Sequence, residues 1–328
     1  MSFPVRLRAP RRRPSGPRTI GILAYPGVQQ AAVHGLTDLL EAASRLRGQG
    51  PEPAVALTVQ PWDGVAPLLP PEVPLAALIL PPSLGIQATP AQTAAIAAWL
   101  RDRHGEGTVI CSICAGAFLL AETGLLDGRP ATTHWALAER FAARFPAVRL
   151  DADKLLIDDG DLVTAGGLMA WVDLGLRLVN RFLGSATLLA TARYFLVDPG
   201  GREQRFYSTF APQLTHGDAA ILKVQHWLQA NSGGRVSLPM MAARAKLGDR
   251  TFLRRFQAAT GMTPGQYLQH LRVGKARELL ERSGLSVDEI AWQVGYGDPG
   301  AFRKVFLKVM GLSPGEYRRR FAIERSMP

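Results

Sequence analysis

Two stretches of the chain repeat each other at a fixed offset of fifty residues. FLRRFQAATGMTPGQY runs from Phe252 to Tyr267, and FRKVFLKVMGLSPGEY runs from Phe302 to Tyr317. Phe252 aligns with Phe302, Phe256 with Phe306, Gly261 with Gly311, Pro264 with Pro314, Gly265 with Gly315 and Tyr267 with Tyr317, while Arg254 meets Lys304. A duplicated element of this length is one supersecondary unit used twice. Cationic residues beside an apolar pair in each copy suggest two reading heads for a polyanion.

In each copy the two Phe stand at i and i+4, which places them on one helix face that can pack on a preceding helix. Arg250, Arg254 and Arg255 in the first copy, and Arg303 and Lys304 in the second, fall on other faces. Arg pairs bidentately with guanine edges and also with phosphate. A protruding helix of this kind fits the ~12 Å major groove. Between the copies, GQYLQHLRVGKARELLER (Gly265 to Arg282) reads as one long helix. About 16 residues of it span roughly 24 Å, and it could carry its two neighbours to successive groove segments about 34 Å apart. Ser286 and Glu289 make a capping box, Asp298 is an N-cap and Pro299 takes the first helical position. The alternative is a pair of ordinary amphipathic helices with solvated cations.

Charge is distributed to match. The formal net charge is +11. From Arg235 to the end there are 17 Lys and Arg against 8 Asp and Glu; residues 1–18 carry six Arg and no acid; residues 19–234 hold 15 cations against 19 acids. A basic end on a mildly acidic body points to a polyanion partner for the end alone. Cys111 and Cys114 are the only cysteines in 328 residues, which argues against a disulfide scaffold and fits a reducing cytoplasm. No apolar run reaches the ~18 residues of a membrane span. Residues 1–18 read as a basic disordered arm without the apolar stretch of a secretory signal, either touching nucleic acid or merely solvated.

Upstream of the helical part, residues 19–197 alternate strands and helices. Thr19 to Tyr25, Ala54 to Gln60, Leu75 to Pro81 and Gly107 to Ile113 read as buried strands. Leu36 to Leu46, Pro90 to Arg103 (with Thr89 as its cap) and Leu168 to Leu183 read as helices. KLLID and LVTAG flank an Asp159–Asp161 turn as a hairpin. This order predicts an α/β fold, a flavodoxin-like, mostly parallel sandwich, followed by an all-α domain with two helix-turn-helix units. Residues 198–216 carry the Gly, Pro and charge of a linker, and the helical domain runs over 217–322.

The most chemical segment of the α/β part is TVICSICAGAFLLAETGLL. A strand runs into Cys114, and a helix begins near Gly116. Ala115 and Gly116 leave room for the tight turn of a nucleophile elbow. There the thiol would face free backbone N–H groups and the positive helix end, both favouring thiolate. The Ala115 N–H could bind an oxyanion or carbonyl oxygen. RPATTHW puts His134 at the end of a short strand, in reach of the thiol or of a bound ligand. Equally, Cys114 reads as a small buried hydrophobe and His134 as a core histidine with a satisfied hydrogen bond. Cys111 lies within a strand, unlike a thioredoxin-type pair, and no second pair completes a zinc site. The residues imply no metal and no cofactor.

Residues 217–322 resemble the AraC-type DNA-binding domain, including GYGDPGAFRKVFLKVMGLSPGEYRRRF. The resemblance implies recognition helices beginning near Asp249 and Asp298, with base-facing positions at Arg250, Leu253 and Arg254, then Pro299, Gly300, Arg303 and Lys304. The second helix departs from the usual polar start at Pro299 and Gly300, so Arg303 and Lys304 are open to a role as phosphate contacts. Residues 19–197 resemble the class-I glutamine-amidotransferase-like, or PfpI-type, domain through SICAGAFLLAETGLLDGRPATTHW. The order of the two domains is similar to that of the GlxA family of transcriptional regulators. In enzymatic relatives an acid on the loop after the first strand assists the cysteine. Here that loop is YPGVQQAAVHGL, the aligned position is Ala32, no Asp or Glu lies between Tyr25 and Leu36, and His34 is the loop's only histidine. The resemblance therefore implies a cytoplasmic, dimeric regulator, an activator, that binds double-stranded DNA, contacts RNA polymerase and senses a small nitrogen-containing metabolite beside Cys114, Ala115 and His134. The alternative is a cysteine-dependent amidase or hydratase with an appended DNA-binding domain.

Overall fold

The computed structural model describes residues 18–47, 55–61, 74–84, 90–200 and 203–323. Thr89 and residues 1–17 of the expected arm lie outside the described residues. The chain divides into two compact units, Met1–Gln204 and Arg205–Pro328.

The first unit runs β1 (Arg18–Ala24), α1 (Gln30–Leu46), β2 (Val55–Pro61), β3 (Leu75–Leu80), α2 (Pro90–Gly105), β4 (Val109–Ile113), α3 (Gly116–Ala121), β5 (Pro130–Ala131), α4 (Ala138–Arg144), β6 (Arg149–Leu150), β7 (Leu156–Asp158), β8 (Leu162–Ala165) and α5 (Trp171–Phe195). Six strands form one sheet in the order β2-β1-β3-β4-β8-β7. All neighbours are parallel except the β7–β8 hairpin. The flavodoxin-like order is kept, with β8 in the fifth place. Ile20, Ile22, Ala77, Leu78, Ile79, Ile110, Cys111 and Ile113 are wholly buried, which is why these strands are continuous apolar runs rather than alternating ones.

Helices α1 and α5 pack closely because each offers a glycine. A Cβ on Gly35 would strike the Trp171 ring, and one on Gly175 would press on Leu36 and Leu39. Helix α1 begins at Gln30, six residues before the expected Leu36. Its start lacks a side-chain cap, and Gly35 sits in its second turn, so the usual start signals are missing. Helix α5 loses helical geometry at Gly184 (φ 84°), next to the expected end at Leu183, and then resumes to Phe195.

The second unit is helical: α6 (Ala219–Asn231), α7 (Leu238–Ala245), α8 (Asp249–Thr260), α9 (Pro264–Arg282), α10 (Val287–Gln293), α11 (Pro299–Met310) and α12 (Pro314–Phe321). It holds two hydrophobic cores. Phe252 and Phe256 of α8 pack with Ile221, Leu228 and Met241; Phe302 and Phe306 of α11 pack with Ile290, Val294 and Met310. Helix α9 serves both, giving Tyr267 and Leu268 to the first core and Val273, Ala276 and Leu280 to the second. Its 19 residues make a strut about 28 Å long. The repeat is reproduced down to its punctuation. Helices α8 and α11 both end on a left-handed glycine, Gly261 and Gly311. Thr263–Gln266 and Ser313–Glu316 then form capping boxes, each enclosing a Pro at the first helical position. The expected Ser286–Glu289 box and the Asp298 cap are present as well.

Candidate nucleic-acid interface and cysteine elbow

The four Phe of the repeat are fully buried. Their burial fixes which faces of α8 and α11 remain outside. On α8, Arg250, Leu253 and Arg254 are exposed, Leu253 at 38%. On α11, Arg303 and Lys304 are exposed, while Pro299 and Gly300 are half-buried.

The two helix starts differ. Helix α8 opens after Gly248, which offers no side-chain cap, so its first-turn N–H groups keep no side-chain acceptor at the N-cap position. Helix α11 is closed by its own cap: Asp298 accepts from Gly300 N at 2.9 Å and from Ala301 N at 3.0 Å. These bonds hold the Asp298 carboxyl below its ordinary value. A Cβ on Gly300 would press on that carboxylate. Arg303 donates to Asp288 of α10 at 2.5 Å.

Arg255 does not join the outward cations. Its guanidinium forms a two-pronged pair with Asp218, the N-cap of α6, at 2.9 and 2.7 Å. The guanidinium, 39% exposed, thus braces α8 against α6 at the protein surface. The second copy has Val305 at this position. Trp292 on α10 is 58% exposed, and only the contacts of the folded chain, not its helical spacing, reveal that it faces solvent.

In the α/β unit the elbow is real. Cys114 has φ 53°, one of three non-glycine residues with positive φ among those described. Strain of this kind persists where the surroundings over-determine the backbone. Here the Cys114 N–H donates to Ala165 O at 2.7 Å, and its carbonyl accepts from the Thr133 hydroxyl at 2.8 Å. Immediately after it, a Cβ on Gly116 would run into the carbonyl oxygens of Leu80 and Pro81. Only glycine lets α3 start this close to the end of β3.

Of the two readings of the thiol, the geometry agrees with the small buried hydrophobe. It is 4% exposed. Burial pushes it up to about 11, against which the Ala115 N–H pulls only partly. Cys111 is pushed further, to about 12, again by burial. A helix end and an N–H group do favour thiolate, but desolvation is the larger effect here. Tyr25, on the loop after β1, is also raised by burial and by the neighbouring Cys114, and its hydroxyl donates to Pro81 O. Ala32 is fully buried in α1, so no carboxylate stands at the position aligned with the enzymatic acid. His34 is exposed. Gln29, 8% exposed at the same loop, leaves its Oε1 without a hydrogen-bond partner.

His134 lies past the short strand, capping a single 3₁₀ turn at Trp135–Leu137. Its Nδ1 accepts from Ala136 N at 3.1 Å. That bond places the proton of the neutral ring on Nε2, and burial lowers the pKa, which favours the neutral form. The tie between its segment and the elbow is the Thr133 hydroxyl. A separate cleft of about 290 Å³ is lined by Lys154, Asp173, Arg177, Asn180 and Glu203, among others, and by neither Cys114 nor His134. Among the described residues no three His, Cys, Asp or Glu gather to hold a metal, and no helix is long and apolar enough to cross a membrane.

A parallel α/β unit with a cysteine elbow, followed by twin capped helix-turn-helix units, defines a DNA-binding regulator with a second domain of enzyme-like fold. The family comparisons agree: residues 241–320 match a helix-turn-helix domain and residues 74–181 match the DJ-1/PfpI family. The chain is similar to the HTH-type transcriptional regulator CdhR of Pseudomonas aeruginosa, at 27% identity over 71% of this chain and 70% of that protein. It is similar to ArgR of the same organism, at 28% over 92% and 93%, and to GlxA of Rhizobium meliloti, at 28% over 70% and 71%. The chain therefore carries a DJ-1/PfpI domain ahead of an AraC-type helix-turn-helix domain, and it is similar to GlxA-type transcriptional regulators.

Proposed function

We propose that this DNA-binding transcriptional regulator is an activator that reads its operator mainly through α8, clamps the backbone through α11 and answers to a small metabolite held by its DJ-1/PfpI domain. The observation that carries the reading is the pair of helices whose Phe faces are buried and whose cationic faces are not, joined by α9. Arg250, Leu253 and Arg254 are assigned to base edges, and Arg303 and Lys304 to phosphates. The closed N-terminus of α11 supports that division. The buried Cys114, the half-buried Ala115 and His134, and the unpartnered Gln29 Oε1 are assigned to the effector, a nitrogen-containing metabolite. A homodimer in the cytoplasm that contacts RNA polymerase completes the reading, since two-fold assemblies are the common way operators are read. The test is binding of the full chain to genomic fragments upstream of its own gene. Tight binding of one fragment over random DNA at physiological salt is expected; equal binding to all contradicts the reading.

The retained backbone strain at Cys114 favours a second reading, a cysteine-dependent amidase or hydratase. Two features support lost catalysis instead: no acid at Ala32, and a thiol whose pKa burial raises. Alkylation of Cys114 should therefore accelerate with pH toward about 11. A rate already level by pH 7 would mark an activated nucleophile.

A further inference from the structure

Gln204 is the last residue of the α/β unit and is 2% exposed. Its carboxamide is fully used. Nε2 donates to Thr133 O at 2.8 Å, Lys154 O at 2.9 Å and the Thr132 hydroxyl at 3.1 Å, and Oε1 accepts from Trp135 N at 3.1 Å. Its backbone N–H donates to Asp153 O at 3.0 Å. Thr133 is the residue that bonds the Cys114 carbonyl, and Trp135 follows His134. The carboxamide lies flat on Gly166, where any Cβ would overlap it. The end of this unit is thus plugged into the segment that holds the elbow.

The residues that follow are anchored as firmly within the helical unit. Phe206 is 6% exposed and, with Arg205, covers Gly311, the left-handed cap of α11. Arg320 lies over the rings of Phe206 and Tyr207 and donates to the Tyr207 hydroxyl at 2.9 Å. Arg277 donates to Ser208 O and, at 2.9 Å, to the Tyr317 hydroxyl. Phe210 meets Tyr267 edge-on, with ring centroids 5.1 Å apart. Tyr267 and Tyr317 are the equivalent residues of the two repeats. Gly261, the counterpart of Gly311, has open space where a Cβ would be. A stretch whose composition marks it as a linker therefore meets the first repeat at Tyr267 and, through Arg277, the second at Tyr317, while Gln204 is locked into the 132–135 segment.

We propose that residues 204–210 form a coupling strap, with Gln204 as the positioning residue, through which the state of the Cys114–His134 segment and the state of the two helix-turn-helix units bias each other. It rests on the effector and DNA reading above. An extended connector would let the two units change independently. A connector bonded on both sides within a few residues makes a rearrangement of either end a strain on the other, which is the physical content of coupling.

Reciprocity makes DNA itself the probe. Amide hydrogen exchange is measured on the full chain, with and without a duplex that the chain selects from a random-sequence library. The wild type should slow exchange in the peptide spanning residues 131–137 by about fivefold on duplex binding, the low end of usual coupling energies. Gln204→Met removes the polar atoms at similar length, and Gly166→Ala displaces the carboxamide while leaving Gln204 itself unchanged. Each variant should still protect α8 on duplex binding and should lose the response in 131–137. Protection of α8 in the wild type with no change in 131–137 overturns the strap alone, as does an undiminished response in both variants. Failure to select any duplex overturns the DNA reading and the strap together.

Discussion

The two copies of the helix-turn-helix share a core and differ at the tip. Behind α8 and α11 alike stand the same buried Phe pair, the same left-handed glycine, a capping box and a buried Tyr. In front, α8 starts on an uncapped Gly248 with Arg250 and Arg254 exposed, whereas α11 starts under Asp298 with Arg303 held by Asp288. The side pairing is exchanged too: Arg255 is bound to Asp218 in the first copy, and Val305 replaces it in the second. Duplication preserves what packing demands and leaves free what a ligand sees. The lesson is that equivalent scaffolds do not imply equivalent chemistry at the surface.

The packing half of this comparison breaks most visibly. Phe256→Ala and Phe306→Ala should each cost about 3–5 kcal/mol, as buried Phe truncations do. Denaturant unfolding of the full chain should register similar losses for both; a tolerant copy would mean that the cores are not equivalent. Next in size is the chemical half. Arg254→Ala should weaken duplex binding by about 1–3 kcal/mol. Lys304→Ala should instead lower the slope of log affinity against log salt by about 0.9, one phosphate contact. Smallest is the pair found only in the first copy. Arg255, hydrogen-bonded to Asp218, holds that carboxyl below its ordinary value. The pair then contributes stability above the ordinary carboxylate pKa, about 4, and loses it as pH falls through the depressed value. Unfolding midpoints should show this acid loss in the wild type and less of it in Arg255→Ala. An unchanged acid profile would detach Arg255 from Asp218 in solution.

Much of this was legible in the sequence because it is written in local signals. The repeat, its Ser286 and Asp298 caps and the Asp159–Asp161 hairpin depend on residues a few positions apart. The elbow at Cys114 was legible too, since strand, Ala115, Gly116 and helix are contiguous. What escaped is non-local. The Arg255–Asp218 pair joins residues 37 apart, and the Gln204–Trp135 bond joins residues 69 apart. Neither leaves a periodic trace. The choice between the two readings of the thiol is non-local for a related reason. The thiol's N–H donor is the next residue, but the burial that outweighs it comes from strands and helices throughout the unit. Helix α1 was shortened because Gln29 and Gly35 carry no start signal; its packing on α5 supplies the stability that local propensity does not.

The division of labour between the copies is tested most directly by a base-by-base preference profile. The full chain, Arg254→Ala and Lys304→Ala are titrated against duplexes carrying every single-base change across the selected site. Arg254→Ala should flatten the preference at the positions it contacts and leave the rest intact. Lys304→Ala should lower affinity equally for every duplex and keep the profile's shape. A Lys304→Ala profile that loses base preference while that of Arg254→Ala keeps its own would invert the assignment and contradict the account.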